Sequence, residues 1–224
     1  MKTLIINLFF VISLNCFSQP TDQIWPQFRG VNSMGVAADD ANPPINLSEK
    51  NIQWEINIPD GSSSPIIWND KIVITAYDKM TRELQTQCLN RITGKKEWIQ
   101  SFRPDTIGLY HSVGSAAQTT SVTDGINIIS YFGTWGLICY DFTGNKKWEF
   151  RIPFVLNRFG YNSSPIIEGN KVILSKDFGD DRFLLALDTN TGDIIWKKEL
   201  SPVGLSNDVF STPVVNNNQI ILLK

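Results

Sequence analysis

Histidine is nearly missing from these 224 residues, with His111 standing alone, and that excludes a nitrogen-rich metal centre of the zinc type. An excess of one charge is missing too. Lys and Arg number 20 against 22 Asp and Glu, a formal net charge of −2. The charges are interspersed without long runs, so neither nucleic acid nor an anionic membrane surface has an electrostatic handle. No stretch keeps a convincing helical period, and no second apolar run follows the first one. Cysteine is scarce, with Cys16, Cys88 and Cys139 the full set. What is present, 42% hydrophobic and 19% charged residues, is a globular composition in a chain long enough to bury a sizeable core.

The first residues stand apart. Lys2 followed by the apolar run Leu4 to Leu14 has the charge and the length of a signal peptide rather than a membrane span. Cys16-Phe17-Ser18 places small residues where a signal peptidase needs them for a cut ahead of Gln19. A rival reading makes Cys16 a lipid-modified N-terminus; Asn15, where such sites want Gly or Ala, weighs against it. Residues 1–18 are therefore expected to be removed and the protein exported, to the periplasm or beyond the cell.

The most informative stretch is Leu187-Asp188-Thr189-Asn190-Thr191-Gly192-Asp193-Ile194-Ile195-Trp196, which reads as strand, tight turn and strand. An Asp or Asn can bond its own backbone two residues on, and the Gly accepts a positive φ. The pattern recurs at Asn90-Arg91-Ile92-Thr93-Gly94 with Trp98, and at Asp141-Phe142-Thr143-Gly144 with Trp148. A second anchor repeats in step with it: Ser64-Pro65-Ile66-Ile67, Ser164-Pro165-Ile166-Ile167 and Thr212-Pro213-Val214-Val215, with Thr120-Ser121-Val122-Thr123 as the divergent copy. Trp54, Trp98, Trp148 and Trp196 are 44, 50 and 48 residues apart. Periods of this size signal propellers, solenoids or arrays. Each unit holds four short strands punctuated by turn residues, clearest over 164–168, 171–176, 183–188 and 193–199, and that is the signature of a propeller blade.

Export would permit disulfides, but Cys88 and Cys139 each lie two residues before a turn-opening Asn90 or Asp141, where the third copy has Ala186. Equivalent positions on neighbouring blades stand at least about 10 Å apart, beyond the roughly 7 Å limit between Cα atoms for a bridge. Buried thiols are expected.

Ala186, Asp188, Thr191, Gly192 and Trp196 match the blade motif Ala-x-Asp-x-x-Thr-Gly-x-x-x-Trp, and Cys88, Asn90, Thr93, Gly94 and Trp98 match it with two substitutions. On these residues the chain from about Trp54 onward resembles the pyrroloquinoline-quinone-like (PQQ-like) repeat family of β-propellers. Trp25-Pro26-Gln27-Phe28-Arg29-Gly30 and Gly160-Tyr161-Asn162-Ser163-Ser164-Pro165 look like exported bacterial members of that family. These are similar in repeat pattern to the outer-membrane assembly scaffold lipoprotein and, more distantly, to quinoprotein dehydrogenases.

The resemblance implies an all-β fold, a β-propeller of four-stranded antiparallel blades, with about three and a half blades present of an expected seven or eight. The anticipated layout is an extended arm without regular structure over 19–50, docked by Trp25 and Phe28. A closing strand follows over 51–58, then blades over 62–102, 118–152 and 163–200, and the start of a blade over 211–224. Family rings close by pairing an N-terminal strand with the last blade, so the sequence looks truncated.

The family name raises the quinone cofactor. Such enzymes are similar to one another in clamping the quinone between a Trp and adjacent cysteines, with calcium held by acidic and amide groups; here no two cysteines adjoin. Trp135, in Gly133-Thr134-Trp135-Gly136, is the Trp outside the repeat best placed to stack, and a structural role in its hairpin is the preferred reading. Asp177, Asp180 and Asp181 form the densest carboxylate group and could hold calcium, but a hairpin turn calls for such residues anyway. His111 sits in a loop between blades, and a triad would need Ser112 or Ser115 with an acid that nothing locates. Asn162-Ser163-Ser164 and Asn46-Leu47-Ser48 match the glycosylation acceptor pattern, too short a pattern to carry weight. No catalytic, cofactor or metal residue is therefore assigned. The expectation is a non-catalytic exported module that holds a protein or glycan partner on one propeller face. The alternative is a fragment of a quinone-dependent oxidoreductase with its active site in further blades.

Overall fold

A computed structural model describes residues 23–201 and 209–223. The export segment with Cys16 lies outside them. Among the described residues a five-stranded antiparallel sheet, two four-stranded ones and a two-stranded one follow one another along the chain. The first blade contains β2 (Ile66–Trp68), β3 (Lys71–Asp78), β4 (Glu83–Asn90) and β5 (Lys96–Phe102), with β1 (Ile24–Trp25) added on its inner edge. The second is β6 (Val122–Thr123), β7 (Ile128–Phe132), β8 (Gly136–Tyr140) and β9 (Lys146–Arg151). The third is β10 (Ile166–Glu168), β11 (Lys171–Lys176), β12 (Phe183–Asp188) and β13 (Ile194–Glu199), and β14 (Val214–Asn216) with β15 (Gln219–Ile221) forms the fourth sheet. The protein is a β-propeller of antiparallel blades, as the repeat requires.

The core lies between blades, not within them. Ile66, Val73 and Cys88 of the first blade pack with Ile128 of the second, Tyr131, Leu137 and Trp148 with Leu174 and Leu185 of the third, and Ile173 and Ala186 with Val215 and Ile220 of the fourth. Middle strands are thus covered on both faces, so β7 and β8 are buried at every position, whereas outer β5 and β13 carry mostly exposed or half-exposed side chains. Two-sided burial is why the middle strands read as apolar runs and the outer ones as polar.

Two sets of stitches join neighbouring blades. On the outer side, Trp54 Nε1 donates to Arg91 O at 2.8 Å, Trp98 Nε1 to Phe142 O at 3.0 Å and Trp148 Nε1 to Thr189 O at 2.9 Å. Each acceptor is the residue after a turn-opening Asn or Asp. The indole lies flat on the Thr-Gly glycine: a Cβ on Gly94, Gly144 or Gly192 would come within 2.6–2.9 Å of the ring. Glycine is therefore required twice, by φ values of +69°, +89° and +76° and by the indole of the preceding unit. On the inner side, Ser64 N donates to Thr120 Oγ1, Thr120 N to Ser164 Oγ and Ser164 N to Thr212 Oγ1, at 3.0–3.1 Å. That hydroxyl chain is the physical reason for Ser or Thr at the head of the second anchor, because each buried backbone N–H must find an acceptor.

The cysteines occupy one position, as equivalence demands. Cys88 pairs with Trp98, Cys139 with Trp148 and Ala186 with Trp196, each just before a register shift. Both thiols are free and buried, and desolvation pushes each up to about 12.

Residues 51–58, expected as a closing strand, pair with no strand among the described residues, and Asn51 closes a short 3-10 turn. Trp54 nonetheless takes the outer-strand place against the first blade. One expectation about the N-terminal region is corrected: the arm over 19–50 is not free of regular structure, because β1 pairs Ile24 with Trp68 and Trp25 with Ile67. Gln27 is buried, whereas Phe28 is half-buried. Pro26 O accepts from Thr123 N at 2.9 Å and Gln27 Oε1 from Ile167 N at 3.2 Å. Ile67, Thr123 and Ile167 are the same repeat position, so the arm runs around the inner wall and engages three successive blades at one level.

Candidate functional site

The blade geometry sorts all loops onto two faces. One carries the short turns between first and second and between third and fourth strands, with every Thr-Gly motif. The other carries the hairpins at 79–82, 133–135 and 177–182 and the blade-to-blade connectors over 103–121 and 152–165. Each candidate weighed from the sequence for catalysis or metal binding lies on this connector face, which is where propellers vary and carry function.

Trp135 is already stacked. The Arg151 guanidinium lies 3.4 Å from its ring centre, and Phe102 of the first blade approaches to 4.4 Å between centroids. A quinone would have to displace these groups. The carboxylates of the third hairpin are drawn apart by cations: Asp177 Oδ1 is 3.4 Å from Arg182 Nη1, and Asp181 Oδ1 is 3.3 Å from Lys197 Nζ. Asp180 is exposed. Among the described residues no group of three His, Cys, Asp or Glu side chains is placed to hold a metal ion. His111 is exposed, and its Nδ1 accepts from Val113 N at 3.3 Å, a local turn contact. Ser115 Oγ is buried and accepts from Ala117 N at 3.1 Å, and Ser112 is exposed. The geometry brings no nucleophile and base together from these residues. Ser164 of Asn162-Ser163-Ser164 is buried in the hydroxyl chain, while Asn46-Leu47-Ser48 is exposed on the arm.

Sequence reasoning missed Lys176, Tyr161 and Arg151. Lys176 is buried at the connector end of β11, its Nζ donating to Asp181 O and lying 4.9 Å from the Phe178 ring centre; desolvation lowers its pKa. Tyr161 fills the space that Gly133 leaves and contacts Phe178 edge-on at 5.0 Å. Its hydroxyl donates to Val155 O, which closes the 152–165 connector on itself, while the ring seated over Gly133 pins that connector to the second blade. The pairing of Gly133 with an aromatic in the next connector was the available signal. Around this pinned loop several large apolar side chains face solvent. Leu109, Val113 and Leu156 are 56%, 85% and 66% exposed, and Phe154 and Phe159 are 38% and 46% exposed.

The fold and its stitches define a PQQ-like repeat propeller. The model of the family described as outer membrane protein assembly factor BamB matches residues 82–224, and the chain belongs to that family. Among solved structures it is similar to BamB from Moraxella catarrhalis, with 18% identity and a TM-score of 0.50 over 71% of this chain and 44% of that one. A europium-containing methanol dehydrogenase gives 15% identity and a TM-score of 0.51 over 67% of this chain and 28% of that one. The quinohemoprotein alcohol dehydrogenase ADHIIG from Pseudomonas putida HK5 gives 13% and 0.56 over 87% and 33%. The chain thus spans less than half the length of these structures, and at such identities the likeness is one of fold. No curated protein matches the chain.

Proposed function

We propose that this protein is an exported, non-catalytic scaffold propeller that holds a protein partner on its connector face. The observation that carries the reading is the exposed apolar group Leu109, Val113, Phe154, Leu156 and Phe159, presented on connectors fixed by buried aromatics. Monomeric proteins rarely leave such groups uncovered unless something binds them. Membership of an assembly-factor family supports a protein as the partner and the cell envelope as the place. Among the described residues no helix is long and apolar enough to cross a membrane. In this reading 51–58 holds, through Trp54, the place that a ring-closing strand takes. The quinone-enzyme reading has relatives of that fold but loses its stacking tryptophan to Arg151 and Phe102.

Two experiments separate the readings. Replacing Leu156 and Phe159 by Asp in the full chain should abolish co-isolation of the partner that the unaltered protein brings from the cell envelope, with thermal stability unchanged. Adding pyrroloquinoline quinone with calcium should leave the melting temperature where it was. Retained co-isolation after both replacements, or a saturable quinone-dependent rise in melting temperature, overturns the proposal.

A further inference from the structure

Beside the apolar group, a cleft of about 310 Å³ opens between the first connector and the second blade, with Asp105, Thr134, Arg151, Pro153 and Phe154 among its walls. Its size is at the lower end of ligand sites. Arg151 is the last residue of β9, where it pairs with Gly136 across the ladder. The hairpin that delivers Trp135 places the indole under the guanidinium at 3.4 Å. Stacking on an indole holds the planar fork in one orientation while leaving its N–H edge open. Among the described residues no carboxylate pairs with Arg151, although Asp105 shares the cleft. Thr134 Oγ1, on a residue of this wall, is buried without a partner, as is Nε1 of Trp135, which lies under the guanidinium and does not line the cleft. Buried polar atoms are nearly always satisfied, so unsatisfied ones beside a preoriented, unpaired cation point to a ligand that supplies acceptors. Pro153 and Phe154 give the same cleft an apolar wall.

We infer that this cleft takes a carboxylate carried next to an apolar side chain, as on an acidic segment of a protein partner. Arg151 would hold the carboxylate bidentately, Thr134 would donate to it, and the neighbouring apolar group would lie against Phe154. One guanidinium facing one Asp suits a monoanion, whereas a phosphate dianion calls for more positive charge. Asp105 opposes the ligand and tunes its affinity downward. The inference rests on the scaffold reading for the source of the carboxylate.

The test uses the full chain with its tryptophans labelled with nitrogen-15, the Trp135 indole resonance being assigned by a Trp135→Phe variant. The probe is N-acetyl-phenylalanyl-glutamate with an amidated C-terminus. The glutamine peptide is the neutral control, and N-acetyl-phenylalanyl-serine with a free terminus separates a chain-end carboxylate from a side-chain one. The glutamate peptide is expected to shift the Trp135 resonance saturably and less so at high salt, and to bind about tenfold or more tightly than the glutamine peptide. Arg151→Met and Thr134→Val should each weaken it, and Asp105→Asn should strengthen it. Equal binding of the glutamate and glutamine peptides, or undiminished binding by Arg151→Met, overturns the inference. Partner co-isolation lost on Leu156→Asp and Phe159→Asp alongside such a result would leave the scaffold reading standing without the carboxylate site. A selective peptide site with no partner recovered would do the reverse.

Discussion

At one end of the blades the turns at Asn90, Asp141 and Asp188 are almost copies: each Oδ1 accepts from backbone N–H groups two and three or four residues on. A glycine follows, covered by the indole of the preceding unit. At the other end the connectors over 103–121 and 152–165 share neither length nor sequence, and they display apolar side chains to solvent. The fold is fixed at the first end and free at the second. The Thr-Gly face is constrained three times over, by turn chemistry, by positive φ and by the packed ring, and it has no latitude left for a changing partner. The connector face needs only to span from one blade to the next, so its residues can be spent on recognition.

If the comparison is right, disturbing the first face should cost stability and disturbing the second should cost binding. Trp148→Ala should have the largest effect, about 3–5 kcal/mol by urea denaturation, because its buried indole closes the junction of the second and third blades and bonds Thr189 O. A loss below about 1 kcal/mol, ordinary for a surface change, would remove the indole stitch from the account. Trp196 is a poorer probe than the repeat suggests, since it is half-buried and its outer strand faces a sheet of only two strands.

Glycine substitutions split the constraint into parts. Gly192→Ala meets both a positive φ and the Trp148 ring 2.7 Å from its new Cβ, and should cost about 2–4 kcal/mol. Gly169→Ala has φ +58° with nothing within 4 Å and should cost about 1–2 kcal/mol. Equal losses at the two sites would show that backbone conformation alone demands glycine. On the inner wall, Gln27→Ala leaves the Ile167 N–H without its acceptor and should cost about 1–3 kcal/mol, with faster amide exchange at Ile167.

The smallest effect concerns acid. Desolvation pulls Asp141 upward, but the Thr143 hydroxyl and the Thr143 and Asn145 donors outweigh it and bring the carboxyl to about 2. A lowered pKa means that this contribution is present above the ordinary value of 3.8 and is lost as pH falls from there through about 2. Asp141→Asn should flatten the melting temperature over that window, and an unchanged profile would deny the turn its charge-assisted bonds.

How much was legible in the sequence follows the same divide. The blades, the equivalence of Cys88, Cys139 and Ala186, and the turn chemistry of Asp188 could all be read, because local rules repeated at a fixed period leave a visible pattern. The hydroxyl of Thr120 accepts from a residue 56 positions earlier, a relation that spacing locates but does not explain. The strand expected over 51–58 shows alternation, yet a ladder needs a neighbour, and alternation says nothing about one. The stacking of Arg151 on Trp135 was invisible, because a cation next to an indole across a hairpin has no local signature. The connector face is legible least of all, for the reason that suits it to binding: nothing in the fold makes it repeat.

Leu156 on the connector face and Ile126 on the Thr-Gly face are both 66% exposed, so a photo-crosslinking residue at each samples solvent equally. In the full chain in its native envelope, crosslinking from position 156 should yield one discrete adduct that Phe159→Asp removes, with none from position 126. Adducts of the same size from both positions, or from 126 alone, would contradict the account.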